Sequence, residues 1–176
     1  MNKGFTIIEL VISVSILSVA VIGIYASFSM MSVLSTEMSD RLTASYLAQE
    51  GLEIVRNIRD TNWMSEDLGT RNWDEGLLVC ENEFGCEVEY KTNGSAENPA
   101  YPWQERFLTI SPEAGFYGYS SGTETKFKRK ITINATLAPH ILRVKAEVFW
   151  ASKPTIINPL GVQESVVVED ILYNWY

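Results

Sequence analysis

Charge is distributed very unevenly along the chain. From Leu10 to Thr36 there is no Asp, Glu, Lys or Arg, and from Glu37 onward charged residues recur throughout. Residues 10–34, LVISVSILSVAVIGIYASFSMMSVL, form twenty-five consecutive uncharged positions. A helix of that length, at about 1.5 Å per residue, reaches about 37 Å and exceeds the hydrocarbon core of a bilayer, about 30 Å. The pattern predicts a transmembrane helix. Six serines dilute it: Ser13, Ser15, Ser18, Ser27, Ser29 and Ser32. Serine in an apolar helix bonds back to its own backbone, and small residues permit close helix–helix approach. Lys3 and the amino terminus are the nearby positive charges, which places the N-terminus on the cytoplasmic side.

The helical pattern continues beyond this segment. In residues 37–60, EMSDRLTASYLAQEGLEIVRNIRD, the positions Leu47, Ala48, Gly51, Leu52, Val55 and Ile58 form one apolar stripe at helical spacing. Glu50, Glu53, Arg56, Asn57 and Asp60 occupy the remaining surface, with Glu53–Arg56 and Arg56–Asp60 spaced for ion pairing. Gly51 costs the helix roughly 1 kcal/mol relative to alanine, so its place in the stripe implies close packing against a sheet. A single helix from about residue 6 to residue 60 follows. The run Asn62–Leu78, with two glycines and clustered polar residues, breaks the pattern and reads as a connecting loop.

The rest is β in character. Candidate strands are Cys86–Lys91, Phe107–Ile110, Phe116–Tyr119, Lys126–Asn134, Ile141–Trp150 and Glu164–Leu172. Leu142, Val144, Ala146, Val148 and Trp150 alternate with Arg143, Lys145, Glu147 and Phe149, the period of a half-buried strand. Phe127, Ile131 and Ile133 alternate likewise with Lys126, Lys128 and Lys130, and Arg129 breaks the rule. Asn93-Gly94 and Ser121-Gly122 mark turns. A helix followed by antiparallel strands predicts an α+β domain whose sheet covers the stripe.

Composition narrows the functional classes. The chain has 176 residues and a formal net charge of −8, which suits one globular domain with an appendage and argues against a general nucleic-acid binder. Two cysteines and one histidine exclude most zinc scaffolds. Cys80 and Cys86 flank ENEFG, where a five-residue loop could close a hairpin. Outside the cytoplasm a disulfide is permitted there; the alternative is a reduced pair.

Glu66, Asp67, Asp74, Glu75, Glu81, Glu83, Glu87 and Glu89 face one base, Arg71, and read as a solvated acidic face, since no calcium-loop pattern is present. Lys126, Lys128, Arg129, Lys130, Arg143 and Lys145 read as an exposed basic sheet face without an aromatic platform. Tyr101, Trp103, Tyr117 and Tyr119 could contact sugar, although aromatics at this density usually pack. His140 reads as a surface turn residue. No G-x-S-x-G, H-E-x-x-H or Gly-rich phosphate loop occurs, so the chain reads as a non-enzyme with no cofactor and no metal.

The first ten residues carry the most specific signal. They read MNKGFTIIEL: a short basic leader, Gly4, Phe5, three residues, Glu9, then the apolar run. Ordinary signal-peptidase cleavage fits poorly, because Ile24-Tyr25-Ala26 places a bulky isoleucine before the cut. The arrangement resembles the prepilin-type signal of type IV pilins and type II secretion pseudopilins. That resemblance implies cleavage by a prepilin peptidase after Gly4, N-methylation of Phe5, and an assembly role for Glu9.

It further implies a pilin-like fold with a leader (1–4), a transmembrane and assembly helix (5–35), its amphipathic continuation (36–60) and a loop-and-sheet domain (61–176). The implied function is a minor pilin or pseudopilin, anchored once in the cytoplasmic membrane with its C-terminal domain outside. Its implied partners are membrane lipid and other pilin or pseudopilin subunits, with no nucleic acid expected. NIRDTNW and the LYNWY ending look most like minor pilins and pseudopilins, and Ala26 stands where major pilins often carry proline. The alternative is a membrane-tethered binding module outside the cytoplasm that never polymerises. The apolar run alone would suffice for that module, with ligand contacts in the loop 61–79.

Overall fold

The fold was taken from a computed structural model, which describes residues 4, 6–64, 72–81, 83–95, 97, 99–112, 115–120, 122–138, 140–152 and 161–174. One helix, α1, runs from Ile7 to Met64. The chain divides into two compact units, Met1–Asp40 and Arg41–Tyr176, and α1 contributes to each.

In the first unit α1 is exposed from Ile7 to Ser35, and this part of the helix is long and apolar enough to cross a membrane. Its hydroxyls turn back on the helix. Ser13 donates to the Glu9 carbonyl, Ser15 to Val11, Ser18 to Val14 and Ser27 to Gly23, at 2.8–2.9 Å. These four hydroxyls are thereby satisfied within the helix.

The second unit is an α+β domain. After α1, a 3-10 turn (Leu78–Cys80) leads to β1 (Cys86–Glu87), β2 (Tyr101–Pro102), β3 (Thr109–Ile110), β4 (Tyr117–Gly118) and β5 (Thr123–Glu124). Three long strands follow: β6 (Lys128–Ala138), β7 (Ile141–Ala151) and β8 (Gln163–Tyr173). A five-stranded sheet has the order β2-β1-β6-β7-β8, and a small one the order β4-β3-β5. Each strand pairing recorded within the two sheets is antiparallel.

The stripe on α1 forms half of the core. Leu47, Ala48, Gly51, Leu52, Val55 and Ile58 are all buried, as are Ala44 and Ile54. They cluster with Ile131 and Ile133 of β6, Val144, Ala146, Val148 and Trp150 of β7, and Leu172 of β8. A Cβ on Gly51 would lie 2.9 Å from Ile131 Cδ1 and 3.0 Å from Arg129 Cδ, so the absent side chain is what lets helix and sheet approach. Arg41 pairs with Glu164 and Arg56 with Asp170, tying the helix to β8 at both ends of the contact.

Several expectations need correcting. The helix continues to Met64 because Asn62, read as the start of the break, is buried and its amide donates to the carbonyls of Trp73 and Glu75. Arg56 takes Glu53 and Asp170, and Asp60 takes Arg59 instead. Cys86–Lys91 is a strand only over Cys86–Glu87, and β2 and β5 fall where no strand was expected.

Arg129 does not belong to an exposed basic face. It points into the core with no exposed surface and donates to the carbonyls of Leu47 and Val88 and to Glu50. The acidic run is not wholly solvated either. Glu87 is fully buried against Arg106, and Glu89 accepts the backbone N–H of Tyr119. Buried charges of this kind persist only where donors and acceptors surround them.

Candidate processing and assembly site

The N-terminal motif leads directly into α1. Gly4 is exposed, with nothing within 4 Å of the place a Cβ would take, so its backbone is open to an approaching catalytic site. Phe5 lies outside the described residues. Thr6 precedes the first helical turn and caps it. Its carbonyl accepts the N–H of Leu10 at 3.1 Å, and its hydroxyl oxygen accepts the N–H of Glu9 at 3.4 Å.

Thr6-Ile7-Ile8-Glu9 therefore has the spacing of a capping box, with Glu9 in the first turn where a carboxylate favours the helix dipole. Sequence reasoning concentrated on Gly4, Phe5 and Glu9 and overlooked Thr6, although the threonine three residues before a glutamate was a visible signal. Glu9 is exposed on α1. At that place it does two things at once: it sits at a helix start that tolerates negative charge, and it presents a carboxylate beside an apolar surface.

The disulfide lies in the second unit. Cys80 and Cys86 are bonded, with Cα atoms 4.6 Å apart and both side chains buried. The bridge joins the end of a 3-10 turn to β1 and closes no hairpin. Gly85 adopts φ +67°, and a Cβ there would meet the Ile131 carbonyl oxygen at 2.6 Å. The loop thus packs on β6 through a position only glycine fills.

The remaining candidates are dispersed. His140 is exposed in the β6–β7 turn, and its carbonyl accepts the N–H of Asn174. Glu66, Asp67 and Arg71 lie outside the described residues. Tyr119 is partly buried, donates to the Arg129 carbonyl and has the Arg106 guanidinium over its ring at 4.7 Å. The basic stripe does have aromatic neighbours: Lys126, Lys128 and Lys130 border one cleft with Trp103, Phe107 and Phe149. Those rings are distant in sequence: the β6–β7 ladder sets Phe149 opposite Lys128, and the segment before β3 folds onto the sheet to bring Trp103 and Phe107.

Comparison with known proteins supports the motif specifically. Residues 1–25 match the family described as the prokaryotic N-terminal methylation motif, a type IV pilin-like prepilin signal. No curated protein and no solved structure matches the chain.

Proposed function

We propose that the chain is a minor pilin or pseudopilin subunit. A prepilin peptidase cuts it after Gly4, the new amine of Phe5 is methylated, and the subunit enters a pilus or secretion pseudopilus through α1. The observation that carries this reading is the methylation motif at residues 1–25, which runs without interruption into an exposed, apolar helix. The subunit waits in the cytoplasmic membrane as a single pass, with Lys3 inside and the disulfide-bearing domain outside. Its role is structural, and its partners are the peptidase, lipid, and other pilin or pseudopilin subunits.

The mechanism follows from charge placement. Cleavage leaves a cation on Phe5 at the edge of an apolar helix. When helices gather away from water, that cation and Glu9 each need a partner, and unpaired charges there cost several kcal/mol. A neighbour's Glu9, staggered along the bundle axis, supplies it. Serines already bonded to their own backbone leave the rest of the surface free to pack without further polar demands.

Two measurements test this. Intact-mass analysis of the membrane fraction is expected to find a chain beginning at a methylated Phe5; a chain beginning at Met1, or after Ala26, overturns the processing step. Glu9→Gln, which keeps the shape and one acceptor oxygen and removes the charge, is expected to be inserted and cleaved normally yet largely lost from sheared filaments. Incorporation at the level of the parent chain overturns the pairing mechanism.

A further inference from the structure

A cleft of about 420 Å³ opens on the outer face of the five-stranded sheet, on the side away from α1's stripe. One wall is the sheet itself. Lys128 stands directly opposite Phe149 in the β6–β7 ladder and Lys130 is one step along, so their side chains share that face. The other wall is the segment 103–107, which contributes Trp103, Glu105 and Phe107.

This second wall is held in place from behind. The Trp103 N–H donates to the Gly85 carbonyl, and the N–H groups of Gln104 and Arg106 both donate to one oxygen of the buried Glu87. Arg106 Nε donates to the other oxygen at 2.6 Å. Residues 104 and 106 are thereby anchored inward, and 103, 105 and 107 face the cleft. Glu105 adopts φ 59°, in the left-handed region that non-glycine residues seldom occupy. Such a conformation costs about 1–3 kcal/mol and persists where the surroundings impose it, often at ligand clamps.

We infer that this cleft binds a carboxylated oligosaccharide, a chain of uronic-acid type. The side chains match its three kinds of surface. The Trp103 and Phe149 rings, with centroids 6.2 Å apart and tilted by 44°, offer faces for the apolar C–H side of a sugar ring. Glu105 and the Gln163 carbonyl oxygen accept hydrogen bonds from hydroxyl groups. Lys128 receives a carboxylate, and Lys126 and Lys130 add positive charge beside it, Lys130 Nζ also donating to the Glu83 carbonyl at 2.6 Å.

Lys128 Nζ lies 4.6 Å from the centroid of the Phe107 ring and 3.6 Å from Glu105. A cation already within reach of the cleft's own carboxylate marks where an incoming carboxylate fits. The same Glu105 disfavours a phosphate chain, which offers it no row of hydroxyl donors along its backbone.

The test is calorimetric titration of the full chain in detergent micelles with tetragalacturonate. Saturable binding is expected, with the methyl-esterified tetramer at least about tenfold weaker because its charge is gone. Trp103→Ala and Lys128→Gln are each expected to lower affinity by a similar factor, with the circular dichroism of the parent retained. Lys128 is half-buried at the rim of the cleft and outside the core, so Lys128→Gln decides the matter if Trp103→Ala fails to fold. Absence of saturable binding, equal affinity for the ester, or unchanged affinity in Lys128→Gln overturns the inference. So does tighter binding of oligothymidylate or polyglutamate than of the uronate. None of these outcomes depends on filament assembly.

Discussion

Tyr119 and Arg129 show how much of this domain turns on single polar side chains. The phenol donates to the Arg129 carbonyl at 3.2 Å, and the guanidinium reaches the carbonyls of Leu47 and Val88. Burial holds the Tyr119 hydroxyl protonated well above its ordinary range; nearby Glu87 adds to the effect, while Arg129 and Arg106 oppose it. An unfolded tyrosine ionises near pH 10, so the folded state keeps a proton that the unfolded state has lost. The associated stability is complete below about pH 10 and falls as pH rises beyond it. Tyr119→Phe is expected to lose about 1 kcal/mol near neutrality with its hydrogen bond, and to show a shallower alkaline loss than the parent. Guanidinium midpoints at about pH 8 and about pH 11 measure both. The break in alternation at Arg129 was visible in the sequence, but its partners were not, because backbone carbonyls carry no residue signature.

Among the elements, those with a long period were legible and those without one were not. The stripe from Leu47 to Ile58 and the strands β6, β7 and β8 each repeat their pattern over several turns or residue pairs. Strands β1 to β5 have two residues each, too few to display an alternation. The cleft was illegible for a related reason: Trp103 and the lysines come together only through the anchoring of a loop on Glu87. The Cys80–Cys86 bridge belongs to this scale, since it fixes the approach to β1 and, through Gly85, the carbonyl that holds Trp103. Replacing both cysteines by serine is expected to cost about 2 kcal/mol, the worth of closing so short a loop. A lowered denaturation midpoint that no longer responds to reductant is the signature to look for.

For the molecule as a whole, the split between Asp40 and Arg41 separates a part whose apolar side chains are exposed from a part with its own buried core. A chain lacking residues 1–33 is expected to be monomeric, soluble and cooperatively folded, as followed by size-exclusion chromatography and thermal melting. In that background Leu52→Asp places an unpaired charge in the core and is expected to cost several kcal/mol; a melting temperature within a few degrees of the parent would assign the stripe to the wrong surface. The ion pairs from Arg41 to Glu164 and from Arg56 to Asp170 also carry a lesson about time. They span 123 and 114 positions of sequence, so the surface made early by α1 is covered late, by β6 and β7 and last by β8. At the pace of synthesis that interval is on the order of ten seconds, during which the apolar stripe is not yet fully covered. Contacts of such long range also slow the final closure. A chain interrupted before Lys128 lacks all three long strands whose side chains cover that stripe, so an unfinished subunit differs from a finished one by an exposed apolar surface.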